Sequence, residues 1–270
     1  MVPSWSEELE SPFFWRAVLS ELIGTFLHIF LCCGSCTGWL DGPPSVVQLA
    51  LTAGLSVASI VWCLGNVSGA YINPAVTWSK FITRRISLPR AVLFLLAQCV
   101  GAVTGAATLK AITPTHAHGV LGVNTLNPDV TPWHGFVMEV VVTFVLVLTV
   151  FSTGDTARTD MKGSGPLAVG LSVTLCNLVA IKYTGSSMNP ARTFGPAAVQ
   201  GNWDNHWIYW CGPLLGGSMA SLLYDNVFSA NASVTKTKAY LRDKNYTPGE
   251  HYKRPEKSAD LKGEEAEACL

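Results

Sequence analysis

Asn73-Pro74-Ala75 and Asn189-Pro190-Ala191 are two copies of one tripeptide, placed in the two halves of the chain. Asparagine is a favoured N-cap residue, and proline is favoured at the first position of a helix. Each copy therefore predicts the start of a half-helix within a short segment, Tyr71–Ile82 in the first half and Met188–Val199 in the second. Neither segment is long enough to cross a bilayer, which takes about 20 residues of helix.

The tripeptide is part of a longer internal repeat. Glu21-x-x-x-Thr25-Phe26 recurs as Glu139-x-x-x-Thr143-Phe144, and Gly54-Leu55-Ser56-Val57 recurs as Gly170-Leu171-Ser172-Val173. The spacing between the two copies is almost the same for all three motifs. A duplicated structural unit explains this agreement better than chance does.

Long apolar stretches surround these motifs. The chain is 49% hydrophobic and only 13% charged, whereas a soluble domain carries about 25% charged residues. This composition disfavours an ordinary soluble enzyme. Six stretches have the length of a transmembrane helix: Ala17–Leu40, Val46–Gly65, Ala91–Ile112, Gly135–Thr153, Leu167–Tyr183 and Trp207–Phe228.

These segments predict an all-α membrane protein with six transmembrane helices and two re-entrant half-helices, arranged as an inverted three-helix repeat. Three crossings per repeat is an odd number, so the second copy enters the membrane upside down. The two half-helices then point their N-termini at each other near the midplane, which is where transport sites of inverted repeats lie. We expect a channel domain over residues 14–228, with repeats at about 14–112 and 133–228.

The distribution of positive charge predicts the orientation. Lys80, Arg84, Arg85 and Arg90 lie between the second and third apolar stretches, whereas the first connection carries no Lys or Arg. Because cytoplasmic loops are enriched in these residues, both termini are expected to be cytoplasmic. Residues 1–13 form the predicted cytoplasmic N-terminus. The charged segment 229–270 is predicted to be a flexible cytoplasmic tail.

Several polar side chains fall within the apolar stretches. Intramembrane carboxylates such as Glu21 and Glu139 are costly and usually functional or partnered. They either support the adjacent re-entrant loops by accepting backbone N–H groups or act in a proton relay. His28 is expected in the core or facing a lumen. The residue pattern predicts no enzyme active site, metal site or cofactor, and the zero net charge gives no reason to expect a nucleic-acid partner.

The stretches Ser68-Gly69-Ala70-Tyr71-Ile72-Asn73-Pro74-Ala75-Val76 and Thr184-Gly185-Ser186-Ser187-Met188-Asn189-Pro190-Ala191-Arg192 resemble the aquaporin (major intrinsic protein) family. The resemblance covers about residues 14–228. It implies a pore in every subunit, a homotetramer and a multi-pass location in a lipid bilayer, with the plasma membrane as the expected one. It also implies that Asn73 and Asn189 form a central constriction and that Arg192 belongs to an outer aromatic/arginine filter.

Three positions of the outer filter differ from the water-selective pattern of that family. Ala53 replaces a bulky aromatic residue, Asn177 replaces a histidine, and Ser186 stands where a cysteine or small residue is common. These changes imply a wider filter. However, Thr193 follows the arginine, where glycerol-conducting members have aspartate, so the scaffold resembles the water-channel branch.

Three functions remain open at this point. The first is passive, single-file water flow that excludes protons and ions. The second is a broader facilitator that passes water together with glycerol or urea, and the third is a membrane junction or scaffold protein with little transport. Ser87, after Arg84-Arg85, is either a candidate phosphorylation site or part of a plain positive cluster. Loss of the filter cysteine at Ser186 predicts weak mercury inhibition, with Cys176 as the thiol that would confound it.

Overall fold

The computed structural model describes residues 5–39, 44–160, 163–243 and 246. This part of the chain is helical and contains no β-strand. Its α-helices, numbered in chain order, are α1 (Trp5–Glu10), α2 (Pro12–Gly34), α3 (Val46–Ser68), α4 (Pro74–Ile82), α5 (Leu88–Ile112), α6 (Pro132–Thr153), α7 (Gly165–Thr184), α8 (Pro190–Gln200), α9 (Ile208–Leu223) and α10 (Val234–Arg242).

Five helices within the described residues, α2, α3, α5, α6 and α7, are long and apolar enough to cross a membrane. The sixth, α9, has 16 residues and continues through a five-residue π-helical turn, Tyr224–Phe228. The predicted membrane-protein fold is therefore confirmed. The first span begins earlier than Ala17 because Ser11 and Pro12 supply an N-cap position and a first-turn proline.

The outer faces of the long helices are apolar, and their inner faces carry polar groups. On α2, Leu19, Ile23 and Leu27 follow one another at helical spacing and are exposed, whereas Glu21 and Thr25 are fully buried. This is the reverse of the pattern of a soluble protein. It fits a helix whose outer face meets lipid and whose inner face meets polar groups of its neighbours.

The two repeats interlock through their half-helices. Within each repeat the first and third long helices pack together, α2 on α5 and α6 on α9. The half-helices cross over, so that α4 packs on α9 and α8 packs on α5. The second long helices meet where Gly54 of α3 contacts Gly170 of α7, and a Cβ on either glycine would overlap the opposite backbone.

The segment after residue 228, expected to be a flexible tail, contains a further helix. Residues 234–242 form α10, in which the buried Lys236 donates hydrogen bonds to the Asp225 carbonyl (2.9 Å) and to Asn231 Oδ1 (3.0 Å). The Tyr240 hydroxyl donates to the Ile82 carbonyl at 2.8 Å. These polar contacts hold the start of the segment against the helical body. Residues 244, 245 and 247–270 of the predicted tail lie outside the described part of the chain.

Candidate functional site

The two half-helices begin at the centre of the molecule and are capped by their asparagines. The Asn73 side chain accepts a hydrogen bond from the Ala75 backbone N–H at 2.8 Å, and Asn189 accepts from Ala191 at 3.0 Å. Asn73 Nδ2 donates to the Met188 carbonyl and Asn189 Nδ2 to the Ile72 carbonyl, both at 2.9 Å. The predicted meeting of the two helix N-termini is present, and each amide uses one N–H to hold it.

Glu21 supports the loop before α4. Its carboxylate accepts hydrogen bonds from the backbone N–H groups of Tyr71 (2.9 Å) and Ile72 (2.7 Å) and from the Ser68 hydroxyl (2.6 Å). Gln98 donates to it from α5 at 2.8 Å. The loop needs this support because Ile72 has a left-handed backbone with φ +44°, which a β-branched residue rarely adopts.

Glu139 supports the loop before α8 in the same way. It accepts from the Thr184 hydroxyl at 2.6 Å and from the backbone N–H groups of Ser187 (2.9 Å) and Met188 (2.8 Å). Met188 again has a positive φ, +54°. Both carboxylates are fully buried, and neither lines the central cavity. This geometry favours the loop-support role over a proton relay.

A cavity of about 510 Å³ runs past the junction of the two half-helices. The predicted site residues that line it are Ala53, Asn73, Asn177, Ser186, Asn189 and Arg192. The prolines and alanines of the two tripeptides, Pro74, Ala75, Pro190 and Ala191, are buried and do not line it. The structure thus brings residues from both halves of the sequence to one cavity.

Arg192 lies in the first turn of α8 and is held by the connection between α5 and α6. Its guanidinium donates to the Gly122 carbonyl and to Asn124 Oδ1, the latter at 2.9 Å. Asn124 Oδ1 also lies 2.8 Å from the Thr193 hydroxyl. Sequence reasoning missed Gly122 and Asn124, and the only signal for them was a connection between two spans that carries no Lys or Arg.

The three other positions predicted to form the outer filter, Ala53, Asn177 and Ser186, line the same cavity as Arg192. Ala53 contributes only a methyl group, and Asn177 Nδ2 donates to the Val173 carbonyl of its own helix at 2.9 Å. The buried Ser186 hydroxyl has no hydrogen-bonding partner among the described residues. His28 also lines the cavity, and its Nδ1 lies 2.9 Å from the Ser56 hydroxyl. The lumen-facing alternative for His28 is therefore the one observed.

Two further residues line the cavity that the sequence did not single out for this role. Cys32 lies one helical turn after His28 on α2, whereas Cys176 does not line the cavity and its thiol lies 3.5 Å from the Val142 carbonyl. Lys80, which the sequence assigned to a positive loop, is buried and lines the cavity from α4. The residues described by the structure contain no cluster of three or more potential metal ligands.

Comparison with known proteins yields one family and several relatives. The family model for major intrinsic protein matches residues 8–224. The chain is 45% identical over 227 residues to aquaporin-4 of Mus musculus, covering 83% of this chain and 70% of that protein. It is also 45% identical over 218 residues to the lens fiber major intrinsic protein of Oryctolagus cuniculus, covering 81% of this chain and 83% of that one.

A solved structure agrees with the fold. The X-ray structure of the aquaglyceroporin from Plasmodium falciparum matches with a TM-score of 0.71, covering 79% of this chain and 96% of that chain. The two sequences are 22% identical. At that level the likeness supports the arrangement of helices and not the choice of solute.

Proposed function

The chain belongs to the major intrinsic protein family, and from this premise we propose that it is a passive water channel of a membrane. The single observation that carries the proposal is the continuous cavity that passes both Asn73 and Asn189 and reaches Arg192. No energy source enters the mechanism, so water moves in either direction down an osmotic gradient.

Polar groups along the cavity provide the steps of transport. Asn73 and Asn189 each spend one amide N–H on the opposite loop, which leaves the second N–H for a passing water molecule. The N-termini of α4 and α8 place partial positive charge at the same point. A water molecule oriented there donates its hydrogens away from the centre, and the positive field opposes protons and other cations. Arg192 adds a fixed positive charge to the lining of the cavity.

Stopped-flow light scattering on proteoliposomes tests the proposal. We expect vesicles that contain the full chain to shrink after a hyperosmotic step at a much higher rate than protein-free vesicles. Ala53→Trp places a large ring in the cavity and should return the rate to that of the protein-free vesicles. Ala107→Trp is a matched control because Ala107 lies on the exposed face of α5. A wild-type rate no higher than that of empty vesicles would refute water transport and favour the junction or scaffold role.

The small side chain of Ala53 favours a second candidate function, in which glycerol or urea passes together with water. Ala53 and Asn177 line the cavity at the two positions where the water-selective pattern has an aromatic residue and a histidine. Radiolabelled glycerol and urea uptake into the same vesicles decides the question. If either solute enters, Ala53→Phe should reduce its uptake far more than it reduces water flow, and Ala107→Phe should change neither. Uptake that is insensitive to Ala53→Phe would contradict the wide-filter explanation.

The proposal also includes the roles of the two buried glutamates, the membrane, the orientation and the oligomeric state. Glu21 and Glu139 act as loop supports. Both termini face the cytoplasm, the membrane is the plasma membrane, and four subunits assemble with one pore each, as the family resemblance implies. Cross-linking of the detergent-purified protein tests the tetramer. Protease accessibility of an epitope placed after Leu270 in sealed cells tests the orientation.

Ser87 is the proposed phosphorylation site. Its hydroxyl accepts a hydrogen bond from the Arg90 backbone N–H at 3.2 Å and caps the start of α5. A phosphate at a helix N-terminus is electrostatically favourable. Phosphopeptide mapping after treatment with a basophilic kinase tests this, with Ser87→Ala as the control.

A further inference from the structure

A buried lysine lines the cavity at the end opposite Arg192. Lys80 lies in the last turn of α4 and is only 8% exposed. It sits beside Phe151 at the end of α6, whereas Arg192 is held by the connection after α5. Because α6 crosses the membrane in the direction opposite to α5, these two ends lie on opposite sides. The cavity is therefore lined by one cationic side chain toward each of its two ends.

The ammonium group of Lys80 faces aromatic rings instead of anions. Its Nζ lies 4.1 Å from the centre of the Phe151 ring and 5.9 Å from that of Tyr71. Within the described residues it takes part in no ion pair and has no hydrogen-bonding partner. The neighbouring Arg85 does have a counter-ion, since it pairs with Asp225.

An ordinary structural role does not account for this placement. A lysine at the end of a helix is stabilised by the helix dipole, and a lysine near a membrane surface usually extends its ammonium into solvent. Lys182, in the last turn of α7, does so and is exposed. Lys80 is instead buried beside two rings, where cation–π attraction favours its charged form, and the residue lines the cavity.

We propose that Lys80 is a second cation barrier of the pore, acting in series with Arg192 from the opposite end. The inference rests on the proposed channel function and adds a specificity-determining residue to it. A cation that moves along the cavity meets the Arg192 guanidinium toward one end and, when Lys80 is protonated, its ammonium group toward the other, between low-dielectric walls where repulsion is stronger than in water. A neutral water molecule carries no net charge and is not repelled.

Sodium entry into proteoliposomes that contain a sodium-sensitive dye tests the barrier. The Arg192→Val variant isolates Lys80 by removing the first barrier. In that background Lys80→Met should raise sodium entry by about tenfold, which corresponds to about 1.4 kcal/mol of barrier. Lys80→Arg retains the charge and should keep sodium entry at the level of Arg192→Val alone. Lys182→Met changes a lysine outside the cavity and is the matched control. In the Arg192→Val background it should also leave sodium entry at the level of Arg192→Val alone.

The result separates this inference from the proposed function. Sodium entry is normalised to the amount of protein in the vesicles, and water flow of the wild type is measured independently. Sodium entry in the double variant no higher than in Arg192→Val alone would overturn the second barrier, whatever the water flow. Lys80→Gln serves as a second uncharged variant if Lys80→Met lowers the melting temperature in detergent.

Discussion

The two repeats fold their central loops alike but stabilise their half-helices differently. In both, a buried glutamate accepts hydrogen bonds from two loop N–H groups and one hydroxyl, and an asparagine bridges to the other loop. The difference lies in the partners of the threonine that follows the Asn-Pro-Ala tripeptide in each half. Thr77 in the first half accepts from Gln98 at 2.8 Å. Its counterpart Thr193 lies 2.8 Å from Asn124 Oδ1, which also holds Arg192.

The packing of the third long helix of each repeat, α5 and α9, explains why the two threonines have different polar partners. Gly101 of α5 contacts Leu22 and Phe26 of α2, as Gly216 of α9 contacts Val140 and Phe144 of α6. In this register Gln98 corresponds to Pro213, which has no side-chain donor. The second half therefore takes its polar support from a loop, and that loop also places Arg192 in the pore. The shared features build the scaffold, and the features that differ bear on selectivity.

The largest expected effect comes from breaking the shared feature. Glu21→Gln and Glu139→Gln each put an amide N–H₂ against loop N–H donors, leaving at least one buried backbone group unpaired at a cost of about 1–3 kcal/mol. We expect both variants to lose most water flow in vesicles and to melt at lower temperature in detergent. Glu8→Gln is the control, because Glu8 pairs with Arg90 outside the loops, and such pairs contribute about 0–1 kcal/mol. Full activity in either loop variant would contradict the support role.

The second-largest effects are expected from substitutions at the polar partners that differ between the two halves. Gln98→Leu removes the donor shared by Glu21 and Thr77, so we expect a loss of about 1–3 kcal/mol in stability and unchanged solute preference per folded channel. Asn124→Leu removes an acceptor of Arg192 and should raise the ratio of glycerol to water permeability. Melting temperature and paired solute assays measure both. The same phenotype in the two variants would contradict the division into scaffold and selectivity.

Sequence reasoning reached the scaffold because the scaffold is repeated. The Asn-Pro-Ala tripeptide, the buried glutamate and the set of three apolar stretches each occur once in each half. The second copy supports the interpretation of the first. Asn124 and Lys80 occur in one half only, so no internal comparison marked them. Helix boundaries also depended on local geometry. The half-helices begin at Pro74 and Pro190, as the tripeptides predict, and the positive φ angles of Ile72 and Met188 keep the preceding residues out of these helices.

A smaller effect distinguishes two cysteines. The sequence pointed to Cys176 as the thiol that would confound mercury inhibition, whereas the structure places Cys32 in the lining and Cys176 outside it. Mercury inhibition is still expected to be weak because Ser186 occupies the filter loop. Any inhibition that remains in vesicle water-flow assays should disappear in Cys32→Ser and persist in Cys176→Ser. The reverse pattern would show that the cavity lining does not determine which thiol reacts.

The smallest effect concerns the contact between the second repeat and the segment that follows it. Asp155 accepts hydrogen bonds from the backbone N–H of Ala230 (3.0 Å) and from the Tyr224 hydroxyl (3.1 Å). Burial alone would raise the pKa of Asp155. The two bonds above, a third bond from the Ala157 backbone N–H and the nearby Arg85 charge together lower this pKa below its ordinary value. Because the pKa is lower when the segment is docked, the carboxylate stabilises docking above the ordinary pKa of aspartate, about 4. That contribution is lost as the pH falls through the lowered value.

Hydrogen exchange of α10 measures this contribution. Asp155→Asn should speed the exchange of residues 234–242 at pH 7 by about fivefold, as expected for a bond of about 1 kcal/mol. Once the intrinsic dependence of exchange on pH is corrected, the wild type should approach the variant as the carboxylate becomes protonated. Asp160→Asn is the matched control, since Asp160 is exposed and pairs with Arg158 in its own loop. Equal exchange in wild type and Asp155→Asn would mean that α10 is held independently of the connection after α6.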